Sequence, residues 1–166
     1  MVKNIFERIY NNSKNSNKLF LADSKTTYGE FYQKTKEYLN FIRKNLNKKE
    51  VVCICSKYSL EMISLIFSCC INQNVVTLIN PNSSNREKKY IITNSKCKII
   101  FYDNSNNNFD INNYKKIDLF KYKKFNKKNS IPEDSIQLLI YTSGTTNLPK
   151  GVMISKNAIL NNVQSI

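Results

Sequence analysis

Three short, nearly continuous apolar runs punctuate the first two-thirds of the chain: Val51-Val52-Cys53-Ile54-Cys55, Val75 to Ile79, and Lys98-Ile99-Ile100-Phe101-Tyr102. Each is rich in β-branched or aromatic residues and lacks polar alternation, the pattern of a strand covered on both faces. Helical patterns separate them. Leu60 to Ile71 carries Met62, Ile63, Leu65, Ile66, Phe67 and Cys70, too many apolar positions for one stripe, so it predicts a largely buried helix. Ser84-Asn85-Arg86-Glu87 fits a capping box and opens a second helix through Tyr90, Ile91 and Ile92. Strand, helix, strand, helix, strand at this spacing predicts an α/β fold: βαβ units on a parallel sheet with right-handed crossovers, covered by helices.

The flanks are read in the same way. Ile5, Phe6 and Ile9 stand at helical spacing within residues 2–10, and the polar run Asn11 to Asn17 ends that pattern. Leu19 to Ala22 predicts a short strand. Thr27-Tyr28-Gly29-Glu30 is a further capping box, followed by an amphipathic helix with Phe31, Tyr38, Leu39, Ile42 and Leu46 on one stripe. From Asp103 to Ser130 the pattern dissolves into Asn, Lys and scattered aromatics, a variable connection with one short strand expected near Ile117 to Phe120. Order returns with the strand Ser135 to Tyr141. A short strand, Val152 to Ile154, and a helix from Ser155 with Ile159, Leu160 and Val163 at core spacing follow.

Composition changes this picture only modestly. The 166 residues suffice for one domain with a real core. The formal charge of +14 raises the question of nucleic acid. Much of the lysine lies in Lys/Asn-rich stretches such as Tyr114 to Asn129, however, and a scattered excess is not a binding face, so no nucleic-acid partner is expected. The five cysteines, Cys53, Cys55, Cys69, Cys70 and Cys97, form no CxxC pair, and with no histidine they complete no zinc set. They read as buried small hydrophobes in a reducing compartment. No membrane span and no hydrophobic leader are seen near Met1, which predicts a cytoplasmic protein. The lack of histidine also excludes Ser-His and Cys-His nucleophilic machinery within this chain.

One stretch carries candidate chemistry: Tyr141-Thr142-Ser143-Gly144-Thr145-Thr146-Asn147-Leu148-Pro149-Lys150-Gly151. Two of the three glycines of the chain fall here. Between them stand hydroxyls and one ammonium, an inventory that suits a polyphosphate. The Walker loop G-x-x-x-x-G-K-[ST] does not fit: Pro149 occupies the place of the second glycine and Gly151 that of the magnesium-binding hydroxyl. Read in isolation, the stretch is more simply a polar hairpin joining two strands.

Tyr-Thr-Ser-Gly-Thr-Thr-x-x-Pro-Lys-Gly-Val nevertheless resembles, almost position for position, the signature of the adenylate-forming (AMP-binding) superfamily, which includes acyl-CoA synthetases, carrier-protein ligases and peptide-synthetase adenylation domains. The resemblance extends upstream through Thr27 to Leu46, Val51 to Ile71, Asn80-Pro81, Arg86 and Asn94-Ser95, and downstream to Ser155 and Asn162. Asn147 stands where the family usually has glycine, and Lys156 where it usually has histidine.

The resemblance implies that residues 1–166 are the first part of the family's large N-terminal domain, with 103–130 as a variable connection and 136–151 as a strand and phosphate loop. It implies a carboxylic acid and ATP with Mg2+ as substrates, and CoA or the phosphopantetheine of a carrier protein as thiol acceptor. Thr142, Ser143, Gly144, Thr145, Thr146, Lys150 and Gly151 match the phosphate-binding loop, with Lys150 neutralising phosphate charge. The later adenine, ribose and lysine motifs have no counterpart, so the chain is expected to be inactive without a further C-terminal half. Acid specificity is unreadable, with a slight lean toward acyl-CoA synthetases. A non-catalytic remnant of the same fold and an amino-acid adenylation fragment are the alternatives. An exposed sheet edge and apolar patch are expected where the missing half would pack.

Overall fold

The computed structural model describes residues 5–97, 99–103, 115–118, 136–142 and 148–165. Helix α1 (Ile5–Asn12) buries Phe6, whose ring meets Phe67 edge-on at 5.1 Å. Strands β1 (Leu19–Leu21) and β2 (Thr26–Thr27) form a small antiparallel ribbon that leads into α2 (Tyr28–Asn45). The predicted capping box opens that helix: Glu30 N–H donates to Thr27 Oγ1 at 3.2 Å, and Thr27 N–H donates to Glu30 Oε2 at 2.7 Å. Two orphan donors of the first turn are thereby satisfied. Strand β2 itself was not legible, being two threonines that pair only because the preceding turn folds them back onto β1.

The remaining elements are β3 (Val51–Cys55), α3 (Leu60–Ile71), β4 (Val75–Ile79), α4 (Asn85–Asn94), β5 (Ile99–Tyr102), β6 (Lys115–Asp118), β7 (Ile136–Thr142), β8 (Lys150–Ser155) and α5 (Lys156–Gln164). Six of the strands make one sheet in the order β6-β5-β3-β4-β7-β8, parallel throughout except for β8, which runs antiparallel to β7. The chain winds outward from β3 in both directions, with β4 on one side and β5 on the other.

Strand alternation divides the core into two layers. Val52, Ile54 and Val76 meet Tyr38, Leu39 and Ile42 of α2 and Leu65, Cys69 and Cys70 of α3 on one face. Cys53, Cys55, Ile79 and Ile100 meet Ile91 and Ile92 of α4 and Cys97 on the other. Cover on both faces is why the strands read as continuous apolar runs. Every residue of α3 is buried or half-buried, as its composition implied. All five cysteines are buried and unbridged, consistent with their reading as core residues. Burial pushes the Cys69 and Cys55 thiols up, the latter to about 11.

A buried polar network joins the amino ends of three strands. Asn74, fully buried, donates through Nδ2 to Asn47 O at 2.7 Å and accepts from Asn72 Nδ2 at 2.9 Å. Gln137 Nε2 of β7 donates to Asn74 O at 2.9 Å. That contact fixes β7 beside β4, with Val76 opposite Leu138, and so aims everything that follows β7.

Three sequence expectations shift. Strand β8 begins at Lys150, not Val152, because Lys150 and Gly151 pair with the end of β7. In α5, Ile159 and Leu160 are only half-buried and Val163 is exposed, so the stripe at core spacing packs incompletely. The strand expected at Ile117 to Phe120 is β6, two residues earlier; most of the 103–130 connection lies outside the described residues. Among the described residues no helix is long and apolar enough to cross a membrane.

Candidate functional site

The hydroxyl-rich stretch sits at the carboxyl end of the parallel sheet, since β7 runs parallel to β4 and the stretch begins as β7 ends. Ligand sites of open α/β sheets lie at that end. Antiparallel pairing continues to the rim: Tyr141 faces Gly151, and Thr142 faces Lys150. The two described ends of the stretch therefore form a neck of paired backbone.

The structure brings Thr142, Lys150 and Gly151 together in this neck. Ser143, Gly144, Thr145 and Thr146, with Asn147, lie outside the described residues. Thr142 Oγ1 donates to Lys150 O at 3.5 Å, a long bond across the mouth of the turn. Directly opposed residues of an antiparallel pair project to the same side of the sheet, about 4.5–5.5 Å apart at Cβ. The exposed Lys150 ammonium thus rises beside the Thr142 hydroxyl, and no described carboxylate forms an ion pair with it. An uncompensated ammonium next to a hydroxyl at the carboxyl end of a sheet is equipped to hold an anion.

Alternation puts Tyr141 and Gly151 on the opposite face, toward α4. The Tyr141 ring packs against the layer containing Cys53, Ile79 and Ile91, and its hydroxyl donates to Asn94 Oδ1 at 2.7 Å. Burial, reinforced by Cys53 and Tyr90, raises the phenol to about 12, so it remains a donor throughout the neutral range. Gly151 sits in a tight space: a Cβ there would stand 3.2 Å from Tyr141 Cε1 and Cζ and 3.3 Å from Leu139 Cδ1, so those side chains would have to give by a few tenths of an ångström. Asn94, the last residue of α4, was visible in the sequence only as part of a resemblance. Its contact with Tyr141 joins residues 47 positions apart, which no local pattern announces.

The described residues hold no group of three or more His, Cys, Asp or Glu side chains arranged to bind a metal ion.

Residues 6–166 match the family model described as AMP-binding enzyme. Among curated proteins the chain is 27% identical over 144 residues to bacitracin synthase 3 of Bacillus licheniformis, covering 84% of the chain and 2% of that protein. It is 26% identical over 162 residues to bacitracin synthase 2 of the same organism, covering 94% of the chain and 6% of the relative. Among solved structures, o-succinylbenzoate coenzyme A synthetase of Bacillus subtilis, in complex with AMP, superposes with a TM-score of 0.72 at 20% identity over 95% of this chain and 44% of that one. The N-terminal subdomain of Klebsiella oxytoca NpsA gives 0.72 at 19% identity, over 92% and 41%. The chain thus spans a few per cent of these curated relatives and less than half of these solved chains.

Proposed function

The chain belongs to the AMP-binding enzyme family, and on that premise we propose that it supplies the phosphate grip of a ligase that activates a carboxylic acid with ATP. In the first step a carboxylate oxygen attacks the α-phosphorus, the bond to the bridging oxygen of the β-phosphate breaks, and pyrophosphate leaves. In the second, a thiol of phosphopantetheine type, on CoA or a carrier protein, attacks the acyl carbon, AMP departs, and the thiol proton passes to solvent. The chain's own part is positioning and electrostatics. Thr142, Ser143, Thr145 and Thr146 donate to β- and γ-phosphate oxygens, Gly144 and Gly151 permit close approach of backbone, and Lys150 neutralises the charge of the departing pyrophosphate. Magnesium enters as the counter-ion of ATP, and no ligand for it is assigned in this part of the chain.

The observation that carries this reading is the cross-strand pairing of Thr142 with Lys150 at the carboxyl end of the sheet. A charge-assisted phosphate contact contributes about 1.5–3 kcal/mol. Lys150→Gln is therefore expected to weaken binding of magnesium pyrophosphate to the intact chain by at least about tenfold without lowering its Tm. Equal binding by the variant sinks the reading. The part alone is expected to be silent in ATP–pyrophosphate exchange, and Lys150-dependent exchange by these 166 residues would overturn that expectation.

A second reading, amino-acid adenylation for a carrier protein, is favoured by the bacitracin synthase relatives. A panel of amino, aromatic and fatty acids in the exchange assay on the complete protein separates it from CoA ligation.

A further inference from the structure

We propose that the Tyr141–Asn94 hydrogen bond is a positioning latch: it ties the neck of the phosphate grip to the end of α4 and so sets where the Lys150 ammonium stands. The proposal rests on the reading of 142–151 as a phosphate loop.

Three contacts converge on one ring. Tyr141 belongs to β7, one residue before the first loop hydroxyl. Its ring lies against Gly151 in β8, one residue after Lys150, so that a Cβ there would stand 3.2 Å from Cε1 and Cζ. Its hydroxyl donates to Asn94 at 2.7 Å. The ring is therefore part of one side of the neck, pressed on the other, and tethered to a helix that packs on the central strands through Ile91 and Ile92.

The need for such a tether follows from the topology. Strand β8 is the last in the sheet order and has β7 as its sheet neighbour. At its rim the side-chain support from β7 is the long Thr142 hydroxyl contact together with the Tyr141 and Leu139 side chains against Gly151. A lysine at the free end of an outer strand is otherwise placed only as well as the strand end frays. The Tyr141 hydroxyl transfers the rigidity of α4 to that end, and neither Tyr141 nor Asn94 is assigned a phosphate contact.

The test uses the intact chain and two readouts: affinity for magnesium pyrophosphate, and amide hydrogen exchange at Thr142, Lys150 and Gly151. Tyr141→Phe keeps the ring and removes the donor; Asn94→Ala removes the acceptor at an exposed position. Each is expected to weaken pyrophosphate binding about three- to tenfold, as loss of one hydrogen bond of ordinary strength implies, and to accelerate exchange at the three amides. The double variant should be no worse than either single, and Asn94→Asp, which retains the acceptor, should restore amide protection. Unchanged exchange in Tyr141→Phe, or losses that add in the double variant, would overturn the latch. If exchange responds as expected while wild type shows no pyrophosphate affinity, the phosphate reading falls and the contact stands as a positioning device without that role.

Discussion

Gly151 shows how much one absent methyl decides. None of the described glycines has positive φ, so its role is space and not backbone permissiveness. Alanine there must push against a ring held by a hydrogen bond at its far end, and overpacking of this kind costs about 1–3 kcal/mol. Gly151→Ala is expected to lower stability within that range by urea unfolding. Adding Tyr141→Phe, which frees the ring to tilt, should recover part of the loss. Both residues were legible as members of a signature, yet the reason for the glycine was not, because it depends on a ring from the facing strand. Lys150 is a different case: the sequence offered its ammonium among hydroxyls, and its exposure and pairing with Thr142 come from the strand register.

Among the elements, α2 is set most locally. Its capping box is written in four consecutive residues and appears as written. The Glu30 carboxylate is held below its ordinary range, first by the Thr27 backbone N–H and then by the Thr27 hydroxyl. A depressed folded-state pKa contributes stability above the ordinary glutamate range, and the contribution is lost as pH falls through the folded value. Glu30→Gln should accordingly be less stable than wild type at neutral pH, and urea unfolding curves of the two should converge in acid. Helices α3 and α4 and strands β3, β4, β5 and β7 were equally readable, because two-sided burial and hydroxyl caps leave plain marks in sequence. Strand β8 was read short. Lys150 and Gly151 have no strand propensity of their own and join the ladder only through Thr142 and Tyr141.

At the scale of the molecule, strand order was the least readable property. That β7 docks against β4 and not beside β5 is decided by Gln137 and the buried Asn74, residues that look like ordinary polar punctuation between apolar runs. Exposed apolar side chains gather on the outer strand: Ile140 and its partner Val152 on one face of the β7–β8 pair and Met153, at 68%, on the other. An outer strand with such side chains is a site of self-association. Val152→Lys with Met153→Lys is expected to reduce oligomers of the isolated chain, as seen by sedimentation velocity. Its unfolding midpoint should stay nearly unchanged, since neither side chain is buried. A lower midpoint with unchanged oligomers would count against β8 as the sticky strand.

The place of β7 also bears on how the protein is made. β3, α3 and β4 leave the ribosome together, but the strand that closes β4 is separated from it by more than fifty residues of later sequence. At about 5–20 residues per second, the edge of β4 and the carbonyl of Asn74 wait on the order of several seconds for Gln137 to arrive. During synthesis, then, the seam most open to a wrong strand lies in the interior of the finished sheet, between its first-made half and the β7–β8 pair.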